Sequence, residues 1–179
     1  MNIVSVVLSA YIDGKIDIEN ISDFIPVEYE PDLFHGAIYR NINPKFTVII
    51  FNTGRMRSMG TKSINSGKEA IRIVIKKLLE HDLIIGKSNI KKVNVENIVG
   101  SGYLGFKVDL YEAGIILEGS LYEPEQFPGL ICKMGNEKGT IILFKSGKIN
   151  IMGLKTPKEI CQVFNKVKIV LTSSHVKLR

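Results

Sequence analysis

Cysteine is scarce in this chain, with Cys132 and Cys161 the two among 179 residues. Neither stands at metal-ligand spacing, and so few thiols suit a reducing compartment. Histidine is nearly as sparse. His35, His81 and His175 lie far apart and none falls in a metal or triad motif. Gly54 and Gly147 read as hairpin glycines and no glycine-rich phosphate loop is present, so neither catalysis nor a cofactor is expected. No apolar run reaches the ~18 residues that a membrane-crossing helix needs. The opening MNIVSVVLSAYIDGK lacks a basic stretch and a small-residue cleavage site, which argues against a signal peptide.

What is present is a globular composition, 45% apolar and 23% charged. A chain of this length holds one ordinary domain, or two small ones fused around a shared core. Its net charge of +6 favours a polyanionic partner.

The chain is organised around a duplication. Tyr122 to Lys155, YEPEQFPGLICKMGNEKGTIILFKSGKINIMGLK, lies without a gap over Tyr29 to Lys62, YEPDLFHGAIYRNINPKFTVIIFNTGRMRSMGTK, at a shift of 93 positions. Fifteen of the 34 aligned positions are identical, among them Phe34/Phe127, Phe51/Phe144, Gly54/Gly147 and Lys62/Lys155. One unit is used twice, at a period too long for a solenoid.

Asn2 to Ala10 predicts a strand, Asp13-Gly14 a turn, and Asp17 to Ile25 a short helix stopped by Pro26. Strands follow at Gly36 to Asn41, Lys45 to Phe51 and Arg55 to Met59, joined by turns at Asn43-Pro44 and Thr53-Gly54. Ser66 with Glu69 three residues later reads as a capping box. Ala70, Ile71, Val74, Ile75, Leu78 and Leu79 then form an apolar helical face, with Lys68, Arg72 and Lys76 on the other side. Gly86 to Asn89 reads as a linker, which makes 1–86 the first repeat and 87–179 the second. The second opens on a strand from Lys92 to Ser101, whose Asn97-Ile98-Val99 echoes Asn2-Ile3-Val4. Val108 to Leu117 is its short helix and Gly129 to Met152 its meander. The last helix begins with Thr156, Pro157 and Glu159 as cap, first position and box, and buries Ile160, Phe164, Val167 and Leu171. Ser173 to Arg179 reads as a frayed tail.

The central strands Thr47–Phe51 and Thr140–Phe144 are apolar on both faces. A sheet covered by helices on one side should alternate. If Val48 and Ile50 face the helices, then Ile49 and Phe51 face away, as do Ile142 and Phe144. With every helix needed on the other side, this second apolar face is expected to be a binding surface.

At these residues the chain resembles the TATA-box-binding protein family over nearly its whole length. The motifs are YEPEQFPGL at Tyr122–Leu130, SGK at Ser146–Lys148 with Gly-x-Lys at Gly153–Lys155, and NIVGS at Asn97–Ser101. The resemblance implies an α+β fold, a two-fold pseudo-symmetric saddle whose curved antiparallel sheet puts its concave face on DNA and its helices on the convex side. It also implies a transcription initiation factor that binds and kinks A·T-rich, TATA-type promoter DNA through the minor groove, and recruits a transcription factor B-type protein and RNA polymerase. Minor-groove binding by a sheet and kinking of the duplex are properties of this family itself, not of the spacing seen here.

Residue by residue, the resemblance makes Phe34, Phe51, Phe127 and Phe144 intercalating wedges. It sets Asn2 and Asn97 against base-edge acceptors, with Val4, Val99, Ile49 and Ile142 as apolar floor. Arg40, Arg55, Lys62, Lys133, Lys148 and Lys155 become phosphate contacts. Glu123 and Glu125 match the family's contact with its transcription factor B partner. Lys68, Arg72 and Lys76 lie where eukaryotic members meet transcription factor A, and TBP-associated factors are further implied partners. A nucleus is implied for a eukaryotic source and cytoplasm for an archaeal one; the NIVGS spelling and the diverged first repeat favour the former.

The pattern breaks after each hairpin. Where the family has valine and threonine, this chain has Arg57 and Met59 in one repeat and Asn150 and Met152 in the other. These four residues predict altered or relaxed sequence preference. They also leave open a second reading, a diverged relative that binds transcription factors with weak or altered DNA specificity.

Overall fold

A computed structural model of the chain describes residues 1–133, 139–174 and 176–178. In chain order the elements are β1 (Asn2–Ile16), α1 (Ile21–Phe24), β2 (Val27–Glu28), β3 (Ala37–Asn41), β4 (Phe46–Ile50), β5 (Arg55–Thr61), α2 (Ile64–Glu80) and β6 (Ile84–Tyr103). Then come β7 (Lys107–Val108), α3 (Leu110–Ile116), β8 (Ser120–Leu121), β9 (Gly129–Lys133), β10 (Thr140–Phe144), β11 (Lys148–Leu154), α4 (Pro157–Thr172) and β12 (Lys177–Leu178). Contacts divide the chain into a unit of residues 5–96 and a unit of residues 1–4 with 97–179. The class is α+β.

In the unit of residues 5–96 the strands run β2-β3-β4-β5-β1, all antiparallel. Strict alternation divides their side chains. Leu8, Ala10, Val48, Ile50 and Met56 are fully buried, and α2 covers them with Ala70, Ile71, Val74 and Leu78. In the unit of residues 97–179 the order is β6-β11-β10-β9-β8, and Leu130, Ile141, Leu143, Ile149 and Ile151 make the buried face beneath α4 and α3.

The two helix–sheet contacts are closed by opposite means. A Cβ at Gly67 on α2 would come within 2.7 Å of Leu8 on β1. At the equivalent contact, a Cβ at Gly100 on β6 would come within 2.4 Å of Ile160 on α4. Strand register makes Leu8 and Gly100 counterparts, since they face Ser58 and Ile151. The glycine sits on the helix in one unit and on the strand in the other, so each Leu or Ile fills the hole its counterpart lacks.

Several local expectations change. Asp13-Gly14 is no turn but part of β1, because the backbone of β6 passes so close that a Cβ on Gly14 would meet the Ile85 carbonyl at 2.7 Å. Gly86 to Asn89 is likewise strand, within β6, with Gly86 absorbing a φ of +101°. The cap of α2 is Ser63, not Ser66. The Ser63 side chain accepts from the Ser66 N–H, and the Ser66 hydroxyl accepts from the Ser63 N–H, so Ser66 fills the role usually given to Glu or Gln. Glu69 turns to Arg72 instead, at 3.3 Å. Leu79, expected in the apolar face, is 48% exposed. The helix between Val108 and Leu117 starts only at Leu110, capped by Asp109 through the N–H groups of Tyr111 and Glu112. The tail is tied down: β12 pairs with β7, Val176 is buried, and its carbonyl accepts from the Asp109 N–H at 2.8 Å. His175 and residues 134–138 of the second meander lie outside the described residues. The box on α4 forms as expected, with Thr156, Pro157 and Glu159 in their roles.

Candidate nucleic-acid interface

The face that no helix covers is built in rows across each sheet. In the unit of residues 5–96, one row runs Ile38, Ile49, Arg57, Ser9 and the next Arg40, Thr47, Met59. Arg55 stands opposite Tyr11, and its guanidinium lies 5.6 Å from the Tyr11 ring centre. In the unit of residues 97–179 the matching rows are Ile131, Ile142, Asn150, Ser101 and Lys133, Thr140, Met152, with Lys148 opposite Tyr103. Ile49, Ile142, Phe51 and Phe144 are all half-buried on this face, as the alternation predicts.

Each unit places one aromatic pair at the end of its face. Phe34 and Phe51 stand edge-on with centroids 6.0 Å apart, and Phe127 and Phe144 are also 6.0 Å apart at 59°. The first ring of each pair is aimed by a turn, in which the N–H of Phe34 or Phe127 donates to the carbonyl of Glu30 or Glu123 at 2.9 Å. Beneath the rings lie Gly36 and Gly129. A Cβ on Gly36 would meet Phe34 at 2.7 Å and Ile49 at 2.8 Å, and one on Gly129 would meet Phe127 at 2.8 Å. These two glycines leave the space that the rings occupy. Their only signal is that both fall on identical positions of the duplication.

The strand register corrects the pairing of Asn2 with Asn97. Val6 faces Thr61, and Ile98 faces Leu154, the counterpart of Thr61. That makes Ser5 the counterpart of Asn97 and Val7 the counterpart of Val99. The reason is parity: β1 buries Val6, Leu8 and Ala10, and matching Asn2 to Asn97 would turn Ser5 into the core instead. Asn2 and Val4 are exposed and group with residues 97–179. Asn97 accepts from the Gly153 N–H at 2.8 Å, which holds its carboxamide in place.

The cations fall into two kinds. Lys62, Lys133, Lys148 and Lys155 are exposed. Arg40 is held by Glu28 through two bonds, at 3.0 and 3.2 Å. The hydrogen bond and then the charge of this pair push the Glu28 carboxyl below, and the Arg40 guanidinium above, their ordinary values. Arg55 and Arg57 are half-buried, and the Nε of each is shielded with no hydrogen-bond partner. Glu123 and Glu125 are exposed on the loop leading to Phe127. Of the basic stripe on α2, Lys68 is half-buried, Arg72 meets Glu69, and Lys76 lies 3.8 Å from Glu80. Among the described residues no group of His, Cys, Asp and Glu could hold a metal ion. His81 stacks on Phe24 at 5.5 Å and His35 is exposed. No described helix is long and apolar enough to cross a membrane.

The model of the family described as transcription factor TFIID, or TATA-binding protein, matches residues 1–81 and 92–173. The chain belongs to the TATA-box-binding protein family. It is 39% identical over 168 residues to the TATA-box-binding protein of Pyrodictium occultum, covering 93% of this chain and 83% of that one. With the Sulfolobus acidocaldarius protein of the same name, identity is 37% over 169 residues, covering 93% and 84%. The solved structure of Methanococcus jannaschii TBP superposes with a TM-score of 0.88 at 33% identity, covering 97% of this chain and 98% of that one. Members of the family are DNA-binding proteins of transcription initiation. These relatives are archaeal, so they give no support to the nucleus that the NIVGS spelling favoured.

Proposed function

We propose that this family member is a general transcription initiation factor that binds A·T-rich promoter DNA through the minor groove and kinks it. The observation that carries this reading is the duplicated outer face: an apolar sheet surface flanked by cations, with an aromatic pair set over a glycine in each unit. Phe34, Phe51, Phe127 and Phe144 act as wedges that unstack base steps. The cost, ~a few kcal/mol per step, is the value known for this family's own kind of binding, offset by the larger surface a bent duplex wraps. Ile49, Ile142, Val99, Met59 and Met152 form the apolar floor, with Val7 taking the place first given to Val4. Asn97 donates to base-edge acceptors, and Ser5 occupies the matching position instead of Asn2. Arg40, Arg55, Lys62, Lys133, Lys148 and Lys155 take phosphates, which positions the protein without reading sequence.

Glu123 and Glu125 present an exposed acidic loop for a transcription factor B-type protein, through which RNA polymerase is recruited. The basic face of α2 is the address for a further acidic partner of the transcription factor A kind. The work takes place in a cell of the archaeal, cytoplasmic type. A second reading, an interaction protein with weak DNA specificity, is favoured by Met59 and Met152, which bring flexible thioethers to the middle of each face. A gel shift on A·T-rich duplex at two salt concentrations separates them. Tight binding that weakens steeply with salt supports the initiation factor. Failure to shift the duplex at low salt refutes it.

A further inference from the structure

Positions 57 and 150 are the same site used twice and filled differently. Arg57 sits across from Ile49 on one side and Ser9 on the other, and Asn150 sits across from Ile142 and Ser101. Along the strand both are followed two residues later by methionine and preceded two residues earlier by a cation, Arg55 or Lys148. The strand neighbours correspond one for one, apart from the Glu96 carboxylate that Ser9 carries beside Arg57, and the two positions themselves set a guanidinium against a carboxamide. The Arg57 Nε has no hydrogen-bond partner, and the side chain is half-buried on the outer face. Its row neighbour Ser9 is closed off, because its hydroxyl is bonded to the Glu96 carboxylate. Arg57 is therefore the polar group its row offers outward.

The chemistry of the two groups differs in one respect that matters in a minor groove. A guanidinium donates and never accepts, whereas a carboxamide does both. A·T pairs show only acceptors there, the adenine N3 and thymine O2, while a G·C pair adds the guanine N2 amino donor. A donor-only cation facing that amino group leaves two donors opposed. It also gains from the narrow, strongly negative groove of A·T runs. A carboxamide can accept from the amino group or donate to the acceptors.

We propose that Arg57 restricts the half-site under residues 5–96 to A·T pairs, while Asn150 leaves the equivalent half under residues 97–179 open to G·C. The chain then chooses an orientation on an asymmetric duplex without help from a partner. This rests on the reading of the outer faces as minor-groove surface.

The test is competition binding with A·T-rich duplexes that carry one G·C pair at mirror-related positions, using the full chain, Arg57→Asn and Asn150→Arg. For the wild type, G·C on one side is expected to weaken binding about tenfold or more, and on the other side less than about threefold. Arg57→Asn should make both sides tolerant, Asn150→Arg should make both sides intolerant, and Arg57→Lys should restore the one-sided penalty. A one-sided penalty that persists in Arg57→Asn, or equal penalties in the wild type, overturns the inference while the minor-groove reading stands. Failure of the wild type to bind any of these duplexes at low salt overturns both.

Discussion

If the six assigned cations neutralise phosphates, the affinity for DNA must fall with salt at a rate they set. Each phosphate neutralised on a duplex releases counterions and contributes about −0.9 to the slope of log K against log salt. Arg40, Arg55, Lys62, Lys133, Lys148 and Lys155 would together give a slope of about −5.4. Arg40, however, is already held in the fork of Glu28, at 3.0 and 3.2 Å. If it keeps that carboxylate, five contacts remain and the slope is about −4.5. A fourfold rise in salt, from about 50 to about 200 mM, then weakens binding by roughly 500- to 1,800-fold. The assay is fluorescence anisotropy on an A·T-rich duplex across that range. Glu28→Gln releases Arg40, so it should bind more tightly at low salt and steepen the slope by up to about 0.9. Lys62→Ala should make it shallower by about the same amount. A wild-type slope shallower than about −2 would refute the assignment of these side chains to phosphates.

Three further outcomes are expected. Phe127→Ala or Phe144→Ala should reduce the bend measured by energy transfer between duplex ends, with the circular dichroism of the protein unchanged. Gly147→Ala should destabilise by about 2 kcal/mol or more in urea titration, because a left-handed backbone, here φ +85°, alone costs about 1–2 kcal/mol for a side-chain-bearing residue and the new Cβ would lie 2.0 Å from the Phe106 carbonyl oxygen. The Glu159 carboxyl is held below its ordinary range, first by the Thr156 hydroxyl and then by the N–H groups of Thr156 and Lys155. Folded, it binds protons more weakly than unfolded, so its contribution is full above the ordinary carboxyl range and is lost as pH falls through its folded value. Glu159→Gln, which keeps the box without the charge, should flatten the acid limb of stability in urea titrations repeated from neutral to acid pH.

The sequence was most informative where a property belongs to a short segment. Alternation along Thr47–Phe51 is enough to say that Val48 and Ile50 go one way and Ile49 and Phe51 the other, because strand periodicity is set by the backbone. The cap at Thr156 is legible for the same reason, since its box closes within four residues. The α2 cap is not legible in this way, because Ser66 reads equally well as a cap or as a box partner, and only the turn before it decides. Gly86 to Asn89 and Asp13-Gly14 resemble a linker and a turn in sequence yet are strand, for a different reason. Glycine marks both turns and close approach, and here it marks the approach of β1 to β6.

By itself, then, the chain's sequence determined that one unit is used twice, that each sheet has two apolar faces, and that four phenylalanines recur in pairs. The tertiary structure decided what those features are paired with. It moved the counterpart of Asn97 from Asn2 to Ser5, tied Arg40 to Glu28, seated each aromatic pair on Gly36 or Gly129, and exchanged glycine between helix and strand across the two cores. Periodicity is a local property that one segment carries alone. Register and contact are relations between segments far apart in the chain, settled by which side chains can be buried together.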